Sequence, residues 1–594
     1  MTLPVSAFIL HVAGRRALFA ALLLAGGLAH AAEPVALRLI GINDFHGNLE
    51  PASLSLTLAD PQGGKALRVP VGGAAALGGL VKALRAGSPH SLMISGGDLI
   101  GAAPLVSTLF RHESTIEVMN AIGLDAAAVG NHEFDAGAAE LQRIAKGGCP
   151  PPQPDAVATS CTLAPYTGAR FPFLAANVLD GNGNTLFAPS VIREFDGIRV
   201  GIIGAVTRST PRLVTPSGVA GLRFGDEADA INRAAHQLKA QGVKAIVMTI
   251  HEGGEVGASG QRADWNDATC PDAHGPIFRI ARRVTKDVDV IFSAHTHQGY
   301  RCVVDGRVII QGTSYGRGVS VVDVMLDRKT KQVIPALTRS INLPVPNDQT
   351  DPALRERLAA ALPAPYGEVL RAARPDPAIA EMVAKYAAVV APKAARPVGL
   401  IGASFTRGGR ADSPAGRLIA DSQLAATQAS AAGGAQIALM NPGGIRSDLE
   451  CKGTPPCTAT FGQIFTMQPF GNSLVVMTLT GVQLKALLES QQRGGAPEPT
   501  WLQPSVGFTY TWQSDAAAGE RVRDMRLNGA PIVPERDYRV TVNSFLAEGG
   551  DAFNVLARGS ARTGGGQDLD ALIAYLKAAP ERSPDPVPRI TRLP

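Results

Sequence analysis

Asp44 and His46 stand two residues apart in GINDFHGNLEP, and His295 and His297 do the same in SAHTHQ. Between these pairs come a lone acid after two glycines (Asp98 in ISGGDLIG), the run Asn131-His132-Glu133-Phe134-Asp135, and His251 in TIHE. The donors are imidazole nitrogens and side-chain oxygens, with no thiolate among them. That set suits two divalent ions such as Zn, Mn, Co or Fe, and is too rich in nitrogen for Ca or Mg. At an extended strand end residues i and i+2 point the same way, so each pair is expected to reach a single ion. Asp98, on a bare backbone, is expected to bridge two ions, while Asn131 adds a carbonyl oxygen and His251 an imidazole. Two ions so held activate a water and clamp an in-line displacement at phosphorus, which is the hydrolysis of a phosphate ester.

His132 has a different task. Asp135 follows it by three residues, so one helical turn brings the carboxylate near the ring. The carboxylate fixes the tautomer and favours the imidazolium. The pair is expected to stabilise the charged phosphoryl group or protonate the leaving oxygen. Taken singly, these residues have plainer readings: a histidine after a strand usually makes a hydrogen bond, and an Asp after Gly-Gly usually makes a turn. The ordered set of five clusters is what argues for chemistry.

Each cluster follows a short apolar run: VALRLIGI, SLMISGG, AAAVG, VKAIVMTI and DVDVIFSA. Such runs read as buried strands, with helix-like stretches at 117–123 and 228–241 between them. The alternation predicts a layered α/β domain whose ligands sit beyond the carboxyl ends of its strands. Residues 344–398 turn Pro- and Ala-rich and read as a linker with a helix over 377–391. A second α/β pattern follows over 399–580. The last residues, ERSPDPVPRITRLP, read as a tail, and 253–275 as a surface loop. No internal repeat is evident.

At 594 residues the chain is too long for one core. Apolar content of 45% and charged content of 18% are those of a globular protein. A net charge of +5 with no dense Lys/Arg run in the mature part gives no footprint for a nucleic acid polymer. Arg15 and Arg16 precede an apolar run of about 12 residues and then Ala29-His30-Ala31. That run has the length of a signal core and falls short of the roughly 20 residues that span a bilayer. It predicts a cleaved signal over 1–31, export by the Sec or twin-arginine route, and no stable membrane anchor. Six cysteines fit an exported protein. Proximity pairs Cys149 with Cys161, Cys270 with Cys302, and Cys451 with Cys457.

In the second half, NPGGIRSD offers Asn441 and Arg446, MQPFGNSL offers Phe470 and Asn472, and NSFLAEGGDAF offers Phe545 and Asp551. Rings that stack a base, an acid for ribose hydroxyls and an arginine for phosphate would make a nucleoside pocket. Loop phenylalanines, however, more often simply pack.

The motif series GINDFHGNLEP, ISGGDLIG, VGNHEFD, TIHE and SAHTHQ resembles that of the calcineurin-like metallophosphoesterases. Its particular versions resemble the exported 5'-nucleotidase family, which includes bacterial UDP-sugar hydrolases and animal ecto-5'-nucleotidases. The resemblance runs from about Leu37 to Asp551. It implies a metallophosphoesterase domain over 34–343 and a nucleotide-binding domain over 399–580, rotating about the linker helix. It implies that Asp44, His46 and His297 hold one metal, that Asn131, His251 and His295 hold the other, and that Asp98 bridges. It makes His132 and Asp135 a catalytic dyad. It places Phe470 and Phe545 as the sandwich for the base, Asp551 on the ribose, Arg446 on phosphate, and Asn441 and Asn472 on polar pocket positions. Arg407 and Arg410 are both candidates for a further arginine. The chain departs from the family in Pro442, where a glycine is common, in Arg417, where an Asn is frequent, and in His297, where some relatives carry an amide. The implied reaction is hydrolysis of nucleoside 5'-monophosphates. A monomer is the expected state, and the periplasm the expected compartment by analogy with bacterial relatives, with secretion to the medium as the alternative. UDP-sugars or 2',3'-cyclic nucleotides are alternative substrates. A thiosulfate-oxidation hydrolase of the same superfamily should lack the aromatic clamp. A non-catalytic nucleotide-binding module would need neither the ligands nor the dyad.

Overall fold

The computed structural model describes residues 33–594 apart from 52–53, 62, 152–159, 258–263, 409–410 and 494–497. The expected signal over 1–31 and Arg410 therefore lie outside the described residues.

Two six-stranded sheets make the first half. One runs Arg339–Pro344, Gly318–Leu326, Val35–Ile42, Ser91–Ser95, Ala126–Ala128, Phe173–Leu174 from edge to edge. The other runs Gly299–Val304, Arg307–Gly312, Val290–Phe292, Ala245–His251, Ile198–Val206, Ser190–Phe195. Leu39 and Ile94 of the first meet Val247 and Phe292 of the second in one buried cluster. Ile40, Ile42 and Met93 face the other way, into a cluster with the covering helices. Alternate residues thus serve two buried layers, which is why these strands read as unbroken apolar runs.

The central strands pair in parallel: Val35–Ile42 with Ser91–Ser95, that strand with Ala126–Ala128, and Ala245–His251 with Val290–Phe292. Their carboxyl ends therefore gather on one edge of the sandwich. Thr249 Oγ1 donates to the Ser95 carbonyl at 2.9 Å and ties the two sheets together there.

Three readings of the sequence need correction. The linker contains three helices, Pro352–Ala360, Ala364–Ala372 and Pro377–Ala394, where one was expected. Two of its prolines start helices: Pro352 and Pro377 follow Asp351 and Asp376, which cap the exposed N–H groups. The C-terminal residues are not a tail. Ile590–Leu593 pairs in parallel with Phe508–Gln513, and the buried Arg589 forks onto Asp421 at 2.6 and 2.8 Å. The stretch 253–275 is not wholly surface, because Trp265 is buried against Gly299 and Gly318.

The second half centres on a five-stranded sheet ordered Gln503–Pro504, Ile437–Met440, Asp537–Asn543, Ser473–Thr480, Ser560–Gln567. Helices Pro414–Thr427 and Asp568–Lys577 pack together beside it. Leu484 and Leu487 of helix Gly481–Glu489 join a separate buried cluster with Phe508, Tyr510 and Trp512. The linker helix Pro377–Ala394 is fastened to the first half by Tyr386, whose hydroxyl bonds Glu117 and whose ring lies 4.7 Å from that of Phe110. All three cysteine pairings expected from proximity are formed. Among the described residues no helix is long and apolar enough to cross a membrane.

Candidate functional site

All five clusters from the first half converge where the strands end. Asp44, His46 and His297 bring ligand atoms within 4.8 Å of one another, and so do Asp98, His251 and His295. The local geometry differs from the extended strand end expected of DxH and HxH. Val35–Ile42 stops two residues before Asp44, and Asp44, His46, Asp98, His295 and His297 all have left-handed backbone, with φ from 46° to 74°. Non-glycine residues pay strain there, and such residues persist where surrounding structure overdetermines them. The surrounding structure is visible. The amides of Asp44 and His46 donate to the carbonyls of Gly97 and Asp98, and Tyr315 N donates to Asp44 O at 2.7 Å. Gly97 and Gly130 let two of these loops touch backbone to backbone: a Cβ on Gly97 would lie 2.7 Å from Gly130 N.

The donor atoms suit cations. His46 Nδ1 lies 2.9 Å from the Gly101 carbonyl, and His251 Nδ1 lies 3.0 Å from that of Gly96. Each carbonyl fixes a tautomer in which Nδ1 donates and the Nε2 lone pair is free for a metal. His251 Nε2 then faces Asn131 Oδ1 at 3.0 Å, Asp98 Oδ2 at 3.1 Å and His295 Nδ1 at 3.3 Å. His46 Nε2 faces His297 Nε2 at 3.2 Å and Asp98 Oδ2 at 3.6 Å, while His297 Nε2 lies 3.4 Å from Asp44 Oδ1. Acceptors gathered on acceptors repel unless a cation sits among them, so the residues fit two divalent ions with Asp98 reaching both groups. Burial pushes the Asp98 carboxyl up, but His251 and His132 hold it well below the usual carboxylate range.

His132 opens a single turn, His132–Phe134, and its Nδ1 lies 2.8 Å from Asp135 Oδ2. Burial disfavours the charged ring, yet Asp135 and Asp98 outweigh it and raise the pKa above the ordinary imidazole value. Its backbone N–H donates to Asp98 Oδ1 at 2.9 Å, which ties the His132–Asp135 pair to the Asp98 carboxylate.

Asp98, Asn131, His132, Asp135, His295 and His297 line a cavity of about 610 Å³. Its other wall comes from the second half: Asn441, Arg446, Phe470, Asn472, Phe545 and Asp551. Phe470 stacks on His132 at 5.9 Å between centroids, and the Arg446 guanidinium lies 5.9 Å from the Phe470 ring. Asn441 Nδ2 donates to Asp551 Oδ2 at 2.7 Å, and burial raises the Asp551 pKa. A larger groove of about 1350 Å³ borders the helices at 352–372, but neither candidate metal group lies there.

Residues 37–299 match the family described as calcineurin-like phosphoesterase, and residues 390–558 match the C-terminal domain of 5'-nucleotidase. A probable 5'-nucleotidase of Treponema pallidum is 28% identical over 91% of this chain and 92% of its own length. The crystal structure of a 5'-nucleotidase precursor from Thermus thermophilus superposes with a TM-score of 0.71 at 27% identity, over 94% of this chain and 99% of that one. The chain belongs to the 5'-nucleotidase family of calcineurin-like phosphoesterases. In class it is a metal-dependent phosphoric monoester hydrolase. The endonuclease YhcR of Bacillus subtilis is 32% identical over 92% of this chain, which spans 40% of that relative's length.

Within this 5'-nucleotidase-family protein not every residue singled out in the sequence reaches the cavity. Arg407 turns to Asp448, 3.6 Å away, and to the Ile445 carbonyl. Arg417 is buried in an ion pair with Asp412 at 2.8 Å. Pro442 opens the short turn Pro442–Gly444, at a first position where its missing N–H is not needed.

Sequence reasoning gave Glu133 no task, although it lies inside the motif. Glu133 is buried, and it accepts from the amides of Asp98, Leu99 and Gly130 at 2.9, 2.7 and 2.6 Å and from Ile100 at 3.3 Å. It staples the Asp98 loop to the Asn131 loop. Burial, followed by the Asp98 charge, lifts its pKa to about 7. Tyr315 was also missed: its ring lies 5.7 Å from that of His46 and 5.2 Å from that of His297. An acid between two motif residues was a signal for the first; nothing local marked the second.

Proposed function

We propose that this protein hydrolyses nucleoside 5'-monophosphates to nucleoside and phosphate, scavenging nucleotides outside the cytoplasm. One observation carries the reading: Asp98, His295 and His297, which belong to the two candidate metal groups, share a single cavity with the His132–Asp135 pair and the Arg446, Phe470, Phe545 and Asp551 side chains. Asp44, His46 and His297 would hold one ion, Asn131, His251 and His295 the other, with Asp98 between them. Such ions, when bound, polarise the phosphoryl oxygens and make a water a better nucleophile.

The chain's own residues do the rest. Arg446 has a buried Nε and one Nη with no protein partner, which leaves them free for phosphate oxygens. His132, oriented by Asp135, stabilises developing charge or protonates the leaving 5'-oxygen. Phe470 and Phe545 stack the base, and Asp551, held by Asn441, accepts from the ribose. The names of the Treponema relative and of the Thermus precursor support the same substrate class. The second half, 399–580, would move about the linker helix to admit substrate and release product. Three disulfides suit an oxidising compartment, and we favour the periplasm.

The test is phosphate release from AMP, UDP-glucose and 2',3'-cyclic AMP with Mn or Co added, comparing wild type with His132→Ala. Fastest cleavage of AMP, and at least about a tenfold loss of kcat in the variant, is the expected result. Fastest cleavage of UDP-glucose or the cyclic nucleotide would reassign the substrate. No turnover by folded, metal-loaded protein would leave a binding module in its place.

A further inference from the structure

We infer that Tyr315 is a positioning residue for one of the two candidate metal groups: its ring braces His297 and His46, and so sets how fast the ion they hold with Asp44 is released. The inference rests on the reading of Asp44, His46 and His297 as the ligands of one ion.

The histidines of the site are not held alike. His46 and His251 have fully buried side chains, and each ring is fixed through Nδ1 by a backbone carbonyl, that of Gly101 or Gly96. The His297 side chain is 26% exposed, and among the described residues no hydrogen bond reaches its Nδ1. A ligating imidazole normally gives its second nitrogen to a partner that fixes the ring. For His297 that work falls to a packing contact. The Tyr315 ring meets it edge to face, with centroids 5.2 Å apart and planes at 81°. The same ring lies 5.7 Å from that of His46, and Tyr315 N donates to Asp44 O at 2.7 Å. Tyr315 therefore touches all three members of this group.

The ring is itself held. The Arg317 guanidinium lies over it at 5.3 Å and is anchored on the same loop by Ser314 Oγ at 2.7 Å, the Ser314 carbonyl at 3.0 Å and Thr313 Oγ1 at 3.1 Å. Gly316 presses on Phe45, which stands between Asp44 and His46: a Cβ on Gly316 would lie 2.9 Å from Phe45 Cε2. Thr313 and Tyr315 take left-handed backbone, with φ of 67° and 62°, where glycine would be free of strain. A tyrosine at such a position points to a task for its ring. The two ions are then held unequally. One has a ligand locked by the Gly96 carbonyl, and the other depends on His297 and its tyrosine brace, so the second should leave first.

The experiment loads the full chain with Co, removes free metal and follows release of the bound ions to a chelator, alongside metal content per chain. Wild type should hold two ions and release them in a fast and a slow phase. His297→Ala should lack the ion of the fast phase, which assigns that phase. Tyr315→Leu should speed the fast phase about tenfold or more and leave the slow phase within about twofold of wild type. Tyr315→Phe, which keeps the ring, should behave as wild type. Tyr315→Met, which fills the space without a ring, should behave as Tyr315→Leu, and it answers the question should that variant not fold. Equal acceleration of both phases, or none of the fast phase, would overturn the inference. So would a single phase in wild type, loss of the slow phase in His297→Ala, or a Tyr315→Phe variant that behaves as Tyr315→Leu. The ligand assignment stands in each of those cases. If wild type binds fewer than two ions, or His297→Ala keeps both, the ligand assignment itself falls and takes this inference with it.

Discussion

The two walls of the cavity are built by different means. On the metal side, five of the ligand-type residues sit in left-handed backbone, and their loops are hydrogen-bonded amide to carbonyl. Glu133 draws four amides from two of these loops onto one carboxylate. On the wall proposed to hold the nucleoside, Asn441, Phe470, Asn472, Phe545 and Asp551 come from loops spread over more than 100 residues, and side chains hold side chains: Asn441 on Asp551, Ser544 on Asn472. Backbone-fixed ligands tolerate little displacement, as metal chemistry demands. A pocket fixed by side chains can be retuned one residue at a time. The difference predicts that damage on the metal side is total, and that damage on the nucleoside side is graded and specific to the substrate.

The largest effect should come from His251→Ala or Asp98→Ala. Each is expected to lower kcat at least about a thousandfold and to cost bound metal, measured as metal content per chain after dialysis. Near-normal metal content would break the comparison at its first term. Next is Glu133→Ala, which leaves four buried amides unpaired. At about 1–3 kcal/mol for an unpaired group, partly relieved by relaxation, a loss of roughly 3 kcal/mol is expected. The melting temperature should then fall by at least about 5 °C, with activity falling alongside. Phe545→Ala should instead raise KM for AMP by about five- to 150-fold, the equivalent of about 1–3 kcal/mol of stacking, and barely change hydrolysis of p-nitrophenyl phosphate. A matched loss on both substrates would mean that the two walls are not separable.

The smallest effect concerns pH. The Asp568 carboxyl keeps its proton in the folded protein to about pH 7, whereas its ordinary value is 3.8. The folded state therefore binds more protons than the unfolded state between those values, and stability declines as pH rises through that window. Asp568→Asn removes the titration. Its melting temperature relative to wild type should be more favourable at pH 8 than at pH 4 by a few degrees at most. The opposite trend in paired melting curves would show that the fold stabilises the ionised carboxylate, and that the hydrogen bond from the Leu569 amide outweighs burial.

The same division explains what could be read in the chain. The metal side was legible because its residues come in short motifs directly after apolar runs, and every one of the five strands implied by those runs is present. The left-handed backbone at Asp44 and His295 was not legible, since a DxH spacing in an extended chain gives the same convergence on paper. The pocket residues became interpretable only through resemblance, because Phe470 and Asp551 owe their proximity to the five-stranded sheet and not to local spacing. Proline misled twice: it starts an unexpected linker helix at Pro352, and it precedes the last strand at Ile590. Arg407 lies beside Asp448 and does not line the cavity in this structure, a placement that no local spacing announced.

All six cysteines are used in pairs only 12, 32 and 6 residues apart, two in the first half and one in the second. Cross-links this short remove modest chain entropy, and each acts on its own loop. No covalent strap runs from one jaw of the cavity to the other. Oxidation can therefore harden each half against unfolding without adding a covalent constraint between the halves, which are joined instead by the buried cluster that the linker helix shares with both.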